Sequence, residues 1–212
     1  TAGAMIVGVP GGLLTALYFS RFARGRTGSF LRSGVELLAG IPSVVYGFFG
    51  LVIIVPFVRL LGPGTGLSVL AASLILGIMI LPTVITVAQS ALDAVPARYY
   101  EGALALGVDH EHAVFKVVAP AAASGIMAAI VLGLGRAIGE TMAVVMVAGN
   151  MPIIPDSLLS GVRTMTANIV LEMGYAADLH REALIATGVV LFVFILLITM
   201  LLNVIRKRGE AR

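Results

Sequence analysis

The chain has no cysteine. That removes disulfide staples, thiol nucleophiles and thiolate metal sites together. Its three histidines do not make up the loss, because His110 and His112 stand two apart, on different sides of a helix, and His180 lies far away in sequence. Charge is scarce too. Only 12% of the 212 residues are Asp, Glu, Lys or Arg, while 59% are hydrophobic; a soluble domain carries about twice that charge. There is no Walker A loop. The glycine-dense GPGTG at 62–66 lacks the required lysine and a preceding strand, and reads as a tight reversal. No nucleophile–base constellation points to an enzyme. The formal charge of +3 would suggest nucleic acid if it formed a face, but the basic residues flank apolar runs instead.

Those runs define an all-α, polytopic membrane protein. Five spans are expected, at about 1–20, 37–61, 67–89, 122–149 and 182–204. Pro10 should kink the first. Pro42, inside IPSVVYGFFG, should break or bend the second, where Gly47 and Gly50 permit close helix approach. Pro82 should bend the third. Between spans, 90–119 is too charged to cross. Asp93, Pro96, Gly107 and Pro120 punctuate it as helix, glycine turn, helix. A membrane-surface helix is possible over 27–36, and 150–180 reads as a loop. Ten of the 14 Lys and Arg lie in the cluster of Arg21, Arg24, Arg26 and Arg32, in the 90–119 segment, and in the tail of Arg206, Lys207, Arg208 and Arg212; the loops on the other side hold two. The hairpin and the carboxyl end are therefore expected in the cytoplasm. This puts Thr1 outside, inside an apolar run, so one further span is expected ahead of it.

The fourth span carries Arg136 and Glu140 near its midpoint. A charge there costs at least about 2.5–3.5 kcal/mol and needs a partner, a wet cavity or an ionic cargo. If the helix is continuous, the spacing of four puts both on one face, with Ala129, Gly133, Ala143 and Val147. That face either lines a polar pathway or holds a structural ion pair. Ser43, Tyr46, Thr141 and Asn150 are further candidate pathway contacts; Gly133, Gly135 and Gly139 are packing residues rather than a dinucleotide motif.

Glu101-Gly102-Ala103, three residues, Gly107, nine residues, then Val117-Val118-Ala119-Pro120 resembles the EAA signature of ABC importer permeases, with Gly102 in place of Ala and Ala119 in place of Leu. The stretches IPSVVYGFFG and GLGRAIGETMAVVMVAGN are similar to PstC-type permeases of phosphate-specific importers. The resemblance implies a type I importer core in the bacterial plasma membrane. It makes Glu101, Gly102, Ala103, Gly107 and Pro120 the coupling residues that dock on an ATPase. It further implies a heterodimer with a PstA-type sister permease, two copies of an ATP-binding subunit that hold ATP and Mg (none in this chain), surrounding membrane lipids and an extracytoplasmic phosphate-binding protein. Arg136 is expected to pair with Glu140 when empty and with phosphate in transit. The alternatives are a permease for another oxyanion or solute, and an ATP-independent secondary transporter.

Overall fold

The computed structural model describes residues 1–23 and 25–210. Arg24 and Arg212 lie outside the described residues, as do the side chains of Arg206, Lys207 and Arg208. The fold is all-helical. Helix α1 runs Ala2–Phe22, unbroken through Pro10 and ending in a π turn. α2 (Gly25–Gly40) meets α3 (Ser43–Arg59) at 100°. α4 (Val69–Asp93) is followed by α5 (Ala97–Ala105) and α6 (His110–Ala121), and α6 turns by 71° into α7 (Ala123–Gly139). Short α8 (Met142–Val147) and α9 (Met165–Glu172) precede the long α10 (Asp178–Glu210). Among the described residues, three helices are long and apolar enough to cross a bilayer alone, and up to five crossings result if each bent pair counts as one.

α4 is the central post. Ser68 starts it by accepting the Ala71 N–H on its hydroxyl at 3.2 Å. It continues through the buried Pro82 as one helix. α1 packs most extensively against α4, and α7 covers another side. The α1–α4 contact depends on small residues: Ala4 and Ala16 are fully buried, and a Cβ added to Gly8 would stand 2.5 Å from Ile80 Cγ1 and 2.7 Å from the Gly77 carbonyl oxygen. Because one obstacle is backbone, the helices must separate to admit it. Gly8→Val should cost about 1–3 kcal/mol, read as a lower yield of folded protein after detergent extraction. Gly47 and Gly50 do the same for α3, where an added Cβ would strike Met146 and Ala143, or Ile75 and Val147. By contrast, the part of α10 apolar enough to cross, Asp178–Leu202, is only 6% buried.

Element boundaries depart from the sequence reading in four places. Residues 37–40 belong to α2, because Pro42 (φ −60°, ψ 143°) forces the chain extended before α3 begins. α4 continues through Ser90 to Asp93, since Ser90 returns its hydroxyl to the Thr86 carbonyl and Asp93 accepts from Ser20; the hairpin therefore starts at Ala97, after Pro96. The fourth apolar run is not one helix over 122–149 but stops at Gly139. The 150–180 loop contains α9 and a bridge between Gly149 and Val162.

Candidate solute-pathway site

Arg136 lies in the last turn of α7. Helical spacing places Leu132, Gly135, Arg136 and Gly139 on one face, and that face is open. Leu132 is 53% exposed, and a Cβ on Gly135 or Gly139 would meet nothing within 4 Å. The stripe beside it, Ala129, Gly133 and Ala137, is buried; a Cβ on Gly133 would come 2.9 Å from Val84 Cγ2. Of the small residues expected beside the guanidinium, then, Ala129 and Gly133 pack on α4, and Ala143 and Val147 are buried in the core beyond the break. The glycines divide the same way: Gly133 serves packing, while Gly135 and Gly139 leave space.

The half-buried guanidinium donates from Nη1 to the Thr83 hydroxyl oxygen at 3.1 Å. It is near enough to the Tyr46 phenol for a Coulombic interaction, and that buried phenol in turn donates to the Leu38 carbonyl at 2.8 Å. Among the described residues, no carboxylate lies within ion-pairing distance of Arg136.

The expected Arg136–Glu140 pair is therefore not formed. A four-residue spacing aligns two side chains only along an unbroken helix, and here Glu140 is extended (φ −69°, ψ 128°). Its Oε1 accepts the Ala143 N–H at 3.1 Å, while its carbonyl takes the Thr166 hydroxyl. The carboxylate thus satisfies one of the free N–H groups where α8 restarts, a place that favours negative charge. It faces a mainly apolar cavity of about 480 Å³ shared with Ser73, Ala137, Thr164, Thr166 and Phe194. Glu140→Gln keeps an acceptor oxygen and should leave assembly and transport intact. Glu140→Ala removes the cap and should cost about 1 kcal/mol, measured as a lowered melting temperature in detergent.

The other sequence candidates scatter. Ser43 opens α3 at the elbow, half-buried. Thr141 lies in the break and donates to the Gly139 carbonyl at 3.3 Å. Asn150, with φ 51°, donates to the Val145 carbonyl at 2.7 Å and accepts Arg163 Nε on its own carbonyl at 3.0 Å. Arg163 also holds Glu172 at 2.6 Å, so Asn150 belongs to a separate polar cluster around α9. Sequence reasoning missed Thr83. The signal was present: a hydroxyl directly after Pro82 in a run, 74–85, that is otherwise apolar.

At the far end of the bundle, Glu101 and Gly102 are exposed on α5, and Ala103 is buried. Gly107 (φ 83°) ends the helix, its N–H on the Leu104 carbonyl and the Val108 N–H on the Ala103 carbonyl. Asp109 then caps α6. The His112 backbone N–H at 2.9 Å, and after it the His112 imidazole at 2.7 Å, hold its carboxyl below the usual range. A 2.7 Å hydrogen bond between Tyr100 and His110 ties the two helices, and Phe22 of α1 touches the His110 ring edge-on. The tip is apolar and uncovered, with Leu106 86% exposed. Pro120 follows a π turn near the end of α6, just before the bend into α7.

A helical bundle with exposed apolar flanks, a cation beside open glycines and a charged hairpin with an exposed leucine at its tip has the features of a multi-span membrane subunit. Comparison places it among known proteins. A family model described as "Binding-protein-dependent transport system inner membrane component" matches residues 8–210, and the chain belongs to that family. It is 37% identical to the probable ABC transporter permease protein YqgH of Bacillus subtilis, over 97% of this chain and 67% of that protein. It is 34% identical to the phosphate transport system permease protein PstC of Mesorhizobium japonicum (100% and 71%) and 34% identical to PstC 1 of Mycobacterium tuberculosis (100% and 69%). The fold aligns with a chain of the MetNI methionine ABC transporter at TM-score 0.69 and 21% identity, covering 98% of this chain and 88% of that one. An amino acid ABC transporter aligns at TM-score 0.58 and 19% identity, covering 97% and 88%.

Proposed function

We propose that this chain is the permease subunit of an ATP-driven importer of inorganic phosphate. The observation that carries the reading is Arg136, anchored by a neutral hydroxyl, without a carboxylate partner among the described residues and beside open space at Gly135 and Gly139. A guanidinium keeps its charge when dehydrated and offers a fork matched to phosphate oxygens. The resemblance to phosphate permeases over the full chain supports the same cargo. In this reading the open face of α7 meets a PstA-type sister permease, and the route runs between them. An extracytoplasmic binding protein delivers the ion. Two ATP-binding subunits, which hold ATP and Mg, seat the α5–α6 hairpin through its apolar tip. The basic residues flanking α1 and α10 and those of the hairpin support a cytoplasmic side for that end.

The test is reconstitution of the chain with its partner permease, ATPase and binding protein in sealed vesicles. ATP-dependent uptake of radiolabelled phosphate, with sulfate excluded, is the expected result. Sulfate preference, or uptake driven by an ion gradient without ATP, would overturn it.

A further inference from the structure

We infer that the route contains a second oxyanion station below Arg136, in the cleft between α2 and α4. This rests on the phosphate reading above. The exposed edge of the lower half of α4 is polar: Thr83, Thr86, Gln89 and Ser90 are half-buried or exposed, while the rest of that helix is largely buried or apolar. Thr83 holds Arg136. Thr86 lies one turn further along and Ser90 two, so the stripe extends about 10 Å from the upper cation.

There α2 crosses the stripe. A cleft of about 290 Å³ opens between Phe19, Arg32 and Glu36 on one side and Thr86, Gln89 and Ser90 on the other. It has room for a tetrahedral oxyanion with part of its water. Arg32, which lines the cleft, donates from Nη2 to the Phe19 carbonyl, which orients the guanidinium; among the described residues its other N–H donors have no partner. The Thr86 and Ser90 hydroxyls donate to the Pro82 and Thr86 carbonyls at 2.8 Å, so their oxygens face outward and each proton can swing to an anion. Gln89 adds an amide whose contact with Asp93 is long, at 3.4 Å. A solitary cation would trap the ion. Glu36 in the same cleft and Asp93 one turn beyond repel it, which makes this a station for passage rather than storage. The ligand class is a hydrated tetrahedral oxyanion, handed down from Arg136.

The test uses the assembled transporter with its binding protein in vesicles. Arg32→Gln should lower the maximal rate of phosphate uptake about tenfold, the effect of losing one hydrogen bond to a charged group. Binding-protein-stimulated ATP hydrolysis should persist, and Arg32→Lys should recover most uptake. Because Arg32 also holds Phe19, a combined Thr86→Val and Gln89→Leu variant, which touches no such anchor, decides the matter if Arg32→Gln fails to assemble. That variant should lose uptake with ATP hydrolysis retained. Unchanged uptake in it overturns the station; if Arg136→Ala still abolishes uptake, the phosphate reading survives without it. Ser90→Cys supplies a thiol to a chain that has none. An anionic thiol reagent should then block uptake, with inorganic phosphate protecting, and modification without inhibition counts against the station.

Discussion

Arg136→Ala is expected to reduce phosphate uptake by the assembled transporter at least about 100-fold, the scale of losing two charge-assisted hydrogen bonds. Folding should be spared. Among the described residues the side chain makes one hydrogen bond, to Thr83, and its helix is held to α4 by Ala129, Gly133 and Ala137 on the buried stripe. Arg136→Lys keeps the charge but loses the planar fork, and should recover roughly a tenth of wild-type uptake. Thr83→Val separates positioning from charge: the guanidinium stays, its anchor goes, and half-saturation should worsen more than maximal rate. Thr83→Ser should restore both. Wild-type uptake in Arg136→Ala would remove the cation from the route, and the phosphate reading would then rest on resemblance alone.

The counter-ion is where sequence and structure part. Apolar run lengths sufficed to read helices, the Gly107 turn and the break at Pro42, because chain reversals at Gly and Pro follow from backbone sterics alone. Arg136 was legible too, as a charge in an apolar run. Its partner was not. Spacing pairs residues four apart only while the helix continues, and nothing in GRAIGETMA announces that the chain extends at Glu140; the break exists because the carboxylate caps α8 and Thr166 of α9 reaches the Glu140 carbonyl. The second of these contacts joins residues 26 apart and has no local signature. The same holds for Thr83, 53 residues from Arg136, and for Arg32, which shares a cleft with Thr86 and Ser90 of α4. Tertiary placement decides which polar residue meets which; periodicity decides only which lie on one side of a helix.

The consequence for specificity is physical. An arginine neutralised by a glutamate must give up that pair to bind an anion, and the exchange weakens binding by the Coulomb energy lost. An arginine anchored by a hydroxyl gives up little. In the proposed route, net positive charge at the upper position and mixed charge in the cleft below give a gradient of affinity, tight where the ion is received and loose where it leaves.

Gly107→Val is expected to leave ATP hydrolysis by the partner subunits near its basal rate, unresponsive to the binding protein, with phosphate uptake lost. The cause is conformation, not collision. A Cβ at Gly107 would meet nothing within 4 Å, but φ is 83°, a region where a β-branched residue is an outlier. Relief of that strain, about 1–2 kcal/mol, reshapes the turn that aims Leu106 outward and carries the chain into the Asp109 cap of α6. The residues proposed for the ion route lie elsewhere in the chain and are untouched. Gly107→Asn tolerates the left-handed region and should retain much of the coupling, so the order Gly, Asn, Val in stimulated ATP hydrolysis reads out backbone strain at the tip. Glu101→Ala, at an exposed position on α5, should weaken coupling without lowering the melting temperature. Equal stimulation in all three Gly107 forms would mean that the hairpin does not carry the signal.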